Sequence, residues 1–286
     1  MSTDLIRIND ADDPRVAEFQ GIRERDLTGR HSRFIAEGTV VLRMLSAAHA
    51  QGGDFIAEKI LLLENRVSGL ADELAAFPPD VPVYVASAAV LDAIAGFHLH
   101  RGVLALGHRR RQPEAGELIE TLPETALVVV AAGISNHDNI GSIFRNAAAF
   151  GADAILLDET CCDPLYRKSL RVSVGAVLKV PYGRGGSIDN ALSLLLERSF
   201  HIWALSPSGL TEMRNIAPAP RMALVTGTEG AGLPAAILER FNTARIAQAP
   251  GLDSLNAATA TGIALYEIAG AQGRLQAELE DASRED

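Results

Sequence analysis

The sequence predicts an α/β protein of two domains, and three observations carry that prediction. At 286 residues the chain exceeds what one hydrophobic core commonly supports, since single cores rarely grow far beyond ~250 residues. Strand-like and helix-like segments alternate along it in two successive blocks, the second with the pattern of a doubly wound parallel sheet. Between the blocks lies Arg109-Arg110-Arg111-Gln112-Pro113-Glu114-Ala115-Gly116, a polar stretch with Pro and Gly that reads as a linker. The expected domains are residues 14–111 and 126–286, joined by a linker at 112–125.

In the first block Phe34 to Ala50 reads as a helix, Ile60 to Leu63 as a buried strand, Val67 to Ala76 as a helix and Val81 to Val85 as a strand. Ala88 to Ala95 reads as a third helix and Val103 to Leu106 as a last strand. The second block begins at Leu127-Val128-Val129-Val130-Ala131-Ala132, a continuous apolar run of the kind that a strand buried on both faces requires. Further strands are expected at Ala154 to Leu157, Val177 to Val180, His201 to Leu205, Met222 to Thr226 and Ala244 to Ala247. A long helix from about Ser254 to Glu280 follows them.

Composition narrows the function classes. With 48% hydrophobic and 22% charged residues the chain is of ordinary globular type, and no apolar run approaches the ~18 residues of a membrane span. Met1-Ser2-Thr3-Asp4-Leu5 has neither a basic lead nor a long apolar stretch, so a cytoplasmic location is expected. Two adjacent cysteines, Cys161 and Cys162, make no disulfide framework, and the histidines lack ligand spacing, so no metal is expected.

A net charge of -10 argues against indiscriminate binding to a polyanion, but the charge is unevenly spread. Arg15 to Arg33 holds five arginines against three acids, including Arg30 and Arg33, and His98 to Arg111 holds four arginines and no acids, including Arg101 and Arg109. Arg167, Lys168 and Arg171 lie along one predicted helix. Each group is either a solvated face or a localised anion-binding surface. The acidic tail near Glu278 to Asp286 is expected to lie away from any such surface.

Three short segments concentrate the chemistry. In Asn139-Ile140-Gly141-Ser142-Ile143-Phe144-Arg145-Asn146 the apolar positions fall at helical spacing, leaving Arg145 off the buried face and on the same face as Gly141. Asn139 as an N-cap, Gly141 as a tight-turn residue and Arg145 as a salt-bridge partner are the structural alternatives. A dinucleotide site fails here, because Gly141 stands alone where three glycines would be needed. Gly227-Thr228-Glu229-Gly230-Ala231-Gly232 follows a strand and precedes Pro234, a good first residue for a helix. Its Glu229 would repel a polyphosphate, and no Lys-Ser or Lys-Thr completes a P-loop, so a cationic or neutral ligand suits it better. Asp253-Ser254-Leu255-Asn256 opens the last helix, with Asp253 or Ser254 as N-cap. The small residues from Ala257 to Ala264 then permit close approach of another backbone.

Taken together, these residues resemble the SpoU (TrmH) family of RNA ribose 2′-O-methyltransferases in the SPOUT superfamily. Asn139 to Asn146 is similar to the first family motif, Thr226 to Gly232 to the second, and Ser254-Leu255-Asn256 after Ile246 to the third. Phe34-Ile35-Ala36-Glu37-Gly38 and Gly96-Phe97-His98-Leu99-His100-Arg101-Gly102 suggest the smaller N-terminal α/β RNA-binding domain, of ribosomal-protein-like type, that many members carry. Two departures fall at the edge of these motifs: Asn136-His137-Asp138 where the family usually has Asp-Pro ahead of the Asn, and Ile246-Ala247-Gln248 where it has Ile-Pro-Met.

The resemblance implies a Rossmann-like parallel sheet with a deep trefoil knot, S-adenosyl-L-methionine as cofactor, tRNA or rRNA as substrate, and a homodimer. It implies Thr226, Gly227, Gly232, Ile246 and Leu255 around the cofactor. It also implies Arg145 near the target hydroxyl, with Asn139, Glu229, Ser254 and Asn256 supporting it. The alternatives are a non-catalytic RNA-binding protein of the same fold and a SPOUT enzyme that methylates a base.

Overall fold

The protein is described by a computed structural model covering residues 4–20, 24–96, 98–99, 101–228, 230–251 and 254–275. It divides into two compact units. The first takes the chain up to Gln112 together with Asn136–Arg145 and Cys162–Lys179, and the second takes Pro113–Ser135, Asn146–Cys161 and the chain from Val180.

The elements leading to the linker are β1 (Leu5–Ile8), α1 (Glu24–His31), β2 (Arg33–Glu37), α2 (Thr39–Ala50), β3 (Phe55–Leu63), α3 (Ala71–Ala75), β4 (Val83–Ala86), α4 (Ala88–Ala95) and β5 (Val103–Arg109). Their sheet has the order β1-β4-β3-β5-β2, with parallel pairs β1/β4 and β4/β3 and antiparallel pairs β3/β5 and β5/β2. Ile8, Phe19, Ile35, Leu61, Ile94 and Leu104 fill its core. The sheet therefore starts at Leu5, ahead of the expected boundary at residue 14. Phe34 to Glu37, expected within a helix, instead pairs with β5 from Leu104 to Gly107. The break comes at Gly38, whose φ of +91° favours glycine and whose added Cβ would meet Arg101. Only after it does the helix begin.

Beyond the linker come α5 (Ala115–Glu120), β6 (Ala126–Ala131), α6 (His137–Ala149), β7 (Ala154–Leu157), α7 (Arg167–Val172), β8 (Tyr182–Arg184), α8 (Ile188–Glu197), β9 (His201–Leu205), β10 (Thr211–Glu212), β11 (Arg221–Thr226), α9 (Ala235–Arg240), β12 (Asn242–Arg245) and α10 (Ala257–Ala271). All seven strands are parallel, in the order β10-β12-β9-β11-β6-β7-β8. Inside the sheet, between β11 and β7, β6 is buried at every position, as its unbroken apolar run requires.

Three expectations are corrected here. Residues 115–120 are a helix rather than linker, because Leu118 and Ile119 join the second unit's core. Val177 to Val180 is not a strand: after Gly175, at φ +82°, Ala176–Leu178 makes a 3-10 turn, and strand pairing starts past Pro181 at Tyr182. The last helix begins at Ala257 rather than Ser254; residues 276–280 lie outside the described residues.

Candidate active site

In the second unit, the carboxyl ends of β9, β11 and β12 and the entry to α10 enclose a cavity of about 300 Å³. This is the edge at which open α/β sheets bind ligands. The loop after β11 folds back on itself: the Gly232 N–H donates to the Thr228 carbonyl at 3.2 Å, and the Thr228 hydroxyl donates to the Gly232 carbonyl at 3.4 Å. Gly227 sits against that return, where a Cβ would lie 2.7 Å from the Gly232 carbonyl carbon and 2.8 Å from the Leu233 nitrogen. Gly232 itself has φ +68°. Two glycines are therefore required by geometry, one for space and one for conformation.

The other walls are fastened to this loop. Thr261, in the first turns of α10, places its hydroxyl 3.0 Å from that of Thr226, and the Asn146 amide donates to the Ala258 carbonyl at 2.9 Å. The Ser206 N–H donates to the Ala244 carbonyl at 3.0 Å, and Arg245 donates to the carbonyls of Gly209 at 2.7 Å and Leu210 at 3.1 Å. Residues 205–208 and 246–248 are held together by these bonds.

Of the sequence-predicted residues, Thr226, Gly227, Gly232, Ile246, Ser254 and Leu255 line this one cavity. Asn256 does not line it. It is the N-cap of α10, its Oδ1 accepting from Ala258 N at 3.0 Å and Thr259 N at 3.1 Å, the role expected of Asp253 or Ser254. Glu229 and Asp253 lie outside the described residues. The Ser206-Pro207-Ser208 wall was not anticipated; its only sequence signal is its place directly after the β9 apolar run. No charged side chain lines the cavity among the described residues. It suits a ligand with an apolar body and hydrogen-bonding edges, not a polyphosphate.

Asn139 and Arg145 belong to the first unit. The cap of α6 is Asn136, whose side chain accepts from Asp138 N at 2.9 Å while its carbonyl accepts from Ile140 N at 3.0 Å, so Asn139 is not the N-cap. Asn139 is buried within the first turn of α6. Gly141 is not a turn residue either. It sits inside α6, where a Cβ would be 2.7 Å from the Ser169 carbonyl oxygen of α7. Arg145 is exposed and has no hydrogen-bond or ion-pair partner among the described residues. Ahead of it, the His137 ring packs on Tyr166 at 4.4 Å, and burial with the positive charge of Lys168 holds its pKa below the usual 6.5.

The basic groups divide. Arg167 is largely covered and lies 3.4 Å from Glu24 and 3.6 Å from the buried Glu37, and Arg171 lies 3.7 Å from Glu37. Burial raises the pKa of Glu24 even against these arginines. Arg109 is largely covered and lies 3.8 Å from Asp163, and Arg33 lies 2.9 Å from Glu58. Lys168 pairs with Asp138 at 2.7 Å on the surface. Arg30 and Arg101 are exposed, Arg30 with only a 3.6 Å contact to Asp26. Arg33, Arg109 and Arg167 thus serve the fold first, a use that charge counting along the sequence does not distinguish from a ligand surface. Among the described residues no cluster of three or more His, Cys, Asp or Glu is placed to hold a metal ion, and no helix is long and apolar enough to cross a membrane.

A sequence profile of the SpoU rRNA Methylase family matches residues 126–266. The Mycobacterium bovis protein named uncharacterized tRNA/rRNA methyltransferase Mb0905 is 37% identical over 273 residues, covering 92% of this chain and 91% of its own. The chain belongs to the SpoU methylase family. A Synechocystis protein, uncharacterized tRNA/rRNA methyltransferase slr1673, is 29% identical over 93% of this SpoU methylase and 94% of itself. In fold the chain is similar to the AdoMet-bound rRNA methyltransferase of Sinorhizobium meliloti, with a TM-score of 0.76 at 23% identity over 96% of this chain and 99% of that one. It is similar also to a crystal structure described as an RNA 2′-O ribose methyltransferase, with a TM-score of 0.75 at 25% identity over 93% and 99%.

Proposed function

We propose that this SpoU methylase uses S-adenosyl-L-methionine to methylate a ribose 2′-hydroxyl of a structured RNA, a tRNA or an rRNA. The observation that carries the reading is the cavity of the second unit, to which three separate segments contribute: Thr226 to Thr228 with Gly230 to Gly232, Ile246, and Ser254-Leu255. A glycine cradle and a lining without a charged side chain among the described residues fit a nucleoside-bearing cofactor without a polyphosphate. When bound, S-adenosylmethionine supplies a methyl group activated by its sulfonium.

The chain's own residues bind and orient. Ile246, Leu255 and Leu233 offer apolar contact, while the hydroxyls of Thr226 and Ser254 and the main chain of the 227–232 loop offer hydrogen bonds. Arg145 is assigned to the RNA: its exposed guanidinium holds the target phosphate and ribose. A group with a pKa above ~12 is a poor proton acceptor near neutrality, so Arg145 is given positioning rather than general-base work. Asn139, Glu229, Ser254 and Asn256 are proposed as its supports.

The reading includes the threaded trefoil topology of the family and a homodimer. The dimer is supported by α10, which exposes Ile263 and Tyr266, the latter at 57%, beside a hollow lined by Met213, Ile216 and Gly270. Sedimentation at micromolar concentration tests it; a monomer refutes that part. The reaction is tested by incubating the protein with radiolabelled cofactor and RNA, then digesting the product in alkali. Label retained in alkali-resistant dinucleotides supports ribose methylation. Label in mononucleotides points to a base, and no label to a non-catalytic RNA binder.

A further inference from the structure

Arg145 depends on α6 for its place, since it has no hydrogen-bond or ion-pair partner of its own among the described residues. The first two turns of α6 are in turn fastened to α7. The Ser169 hydroxyl donates to the His137 carbonyl at 3.0 Å, Lys168 pairs with Asp138 at 2.7 Å, and a Cβ on Gly141 would lie 2.7 Å from the Ser169 carbonyl oxygen. Gly141 shares a face with Arg145 one turn on, so a shift of α7 is passed to the guanidinium. With six residues, α7 is too short to hold a position by helical stability alone, and what clamps it decides where it lies. On its other side Arg167 and Arg171 both approach Glu37, the last residue of β2, at 3.6 and 3.7 Å. Arg167 also lies 3.4 Å from Glu24 of α1, whose carboxylate accepts the Arg167 main-chain N–H at 3.2 Å. Glu37 is only 7% exposed, and a carboxylate so buried needs its cations. The segments Asn136–Arg145 and Cys162–Lys179 accordingly join the first unit.

We infer that Glu37 is a positioning residue for methyl transfer: through Arg167 and Arg171 it holds α7, and through α7 the face of α6 that carries Arg145. The inference rests on the role given to Arg145 above. Glu37 itself touches neither cofactor nor RNA. The N-terminal sheet therefore does more than offer an RNA surface, since it fixes the geometry of the residue that meets the ribose. A misplacement of about 1 Å at a reacting centre can cost about 100-fold in rate, which sets the scale of the expected effect.

The test is Glu37→Gln in the full chain, which keeps the side chain's size and removes its charge, with Glu73→Gln as control. Glu73 is about as well covered as Glu37, but its carboxylate pairs with Arg43 of α2 rather than with α7. Methyl transfer to total RNA from a strain that lacks the protein should fall about ten- to hundredfold in Glu37→Gln and stay at the wild-type level in Glu73→Gln. S-adenosylhomocysteine affinity should not change in either. Hydrogen exchange in Glu37→Gln should quicken at residues 137–145 and 167–172 and keep wild-type rates in α10. In an Arg145→Lys background the same substitution should cost less than in wild type, because part of what it misplaces is already gone. Wild-type turnover in Glu37→Gln, an equal fall in Glu73→Gln, exchange that quickens throughout the chain, or equal losses in the two backgrounds overturns the inference and leaves the proposed function standing. If wild type methylates no RNA, both fall.

Discussion

Gly227→Ala is the sharpest probe of the cavity. The added Cβ would lie 2.7 Å from the Gly232 carbonyl carbon, 2.8 Å from the Leu233 nitrogen and 2.9 Å from the Gly232 oxygen, where ordinary contact begins at 3.4 Å. All three neighbours are main-chain atoms, so no rotamer change relieves the clash; the loop has to move by about 0.7 Å. That movement strains the two hydrogen bonds between Thr228 and Gly232. At roughly 0.5–1.5 kcal/mol net for each, the loss is about 1–3 kcal/mol, the same range as overpacking a well-filled site. The second unit should therefore unfold at lower denaturant concentration, and affinity for S-adenosylhomocysteine should fall at least about tenfold, or about 1.4 kcal/mol. The matched control is Gly116→Ala in α5. Its nearest neighbour would be Leu194 Cδ1 at 3.7 Å, so helix propensity alone should stabilise it by roughly 0.5–1 kcal/mol. Wild-type affinity and an unchanged unfolding midpoint in Gly227→Ala would refute the close-approach argument, and with it the role given to this loop.

Arg145→Ala should leave S-adenosylhomocysteine binding intact and abolish methyl transfer to RNA; near-normal turnover would remove Arg145 from the site. Arg167→Ala strips the nearer cation from the buried Glu37 and from Glu24, and should cost about 3 kcal/mol of stability. Arg30→Ala, exposed, should stay within about 0.5 kcal/mol in the same denaturant titration; equal effects would contradict the division of the basic residues. His137, with its pKa held below 6.5, resists a proton that the unfolded chain accepts. The stability it contributes above pH 6.5 is lost as pH falls through that value toward the lowered pKa, and His137→Gln should flatten the fall; an unchanged pH profile would count against it.

How much of this was legible depends on what each residue's neighbours are. The buried strand at Leu127 to Ala131 and the loop at Gly227 follow from local pattern, because continuous apolar runs and glycine turns have few alternative uses. Phe34 to Glu37 misleads because four residues ahead of a true helix carry no period of their own, and only the distant partner strand at Leu104 to Gly107 decides their state. Val177 to Val180 misleads for the opposite reason: a short apolar run can be buried by a turn as well as by a strand, and Gly175 selects the turn. Arg167 and Arg109 look like ligand-binding cations in sequence because their carboxylate partners lie 130 residues and 54 residues away, at Glu37 and Asp163.

Asn256 shows why the capping and functional readings were never true rivals. Had Ser254 capped the last helix, Leu255 and Asn256 would have wound into its first turn, with side chains swept around the axis. Because Asn256 accepts the first free N–H groups instead, Ser254 and Leu255 stay in non-helical chain and line the cavity, and Ala257 and Ala260 present only methyl groups to it. The small residues then serve two ends of one problem. Ala257 and Ala260 leave room for a ligand, and Gly262, where a Cβ would meet the Asn146 amide at 2.7 Å, leaves room for the hydrogen bond that ties α10 to Ala258 and Asn146. The cap sets the register of the helix, and the register decides which side chains the ligand meets.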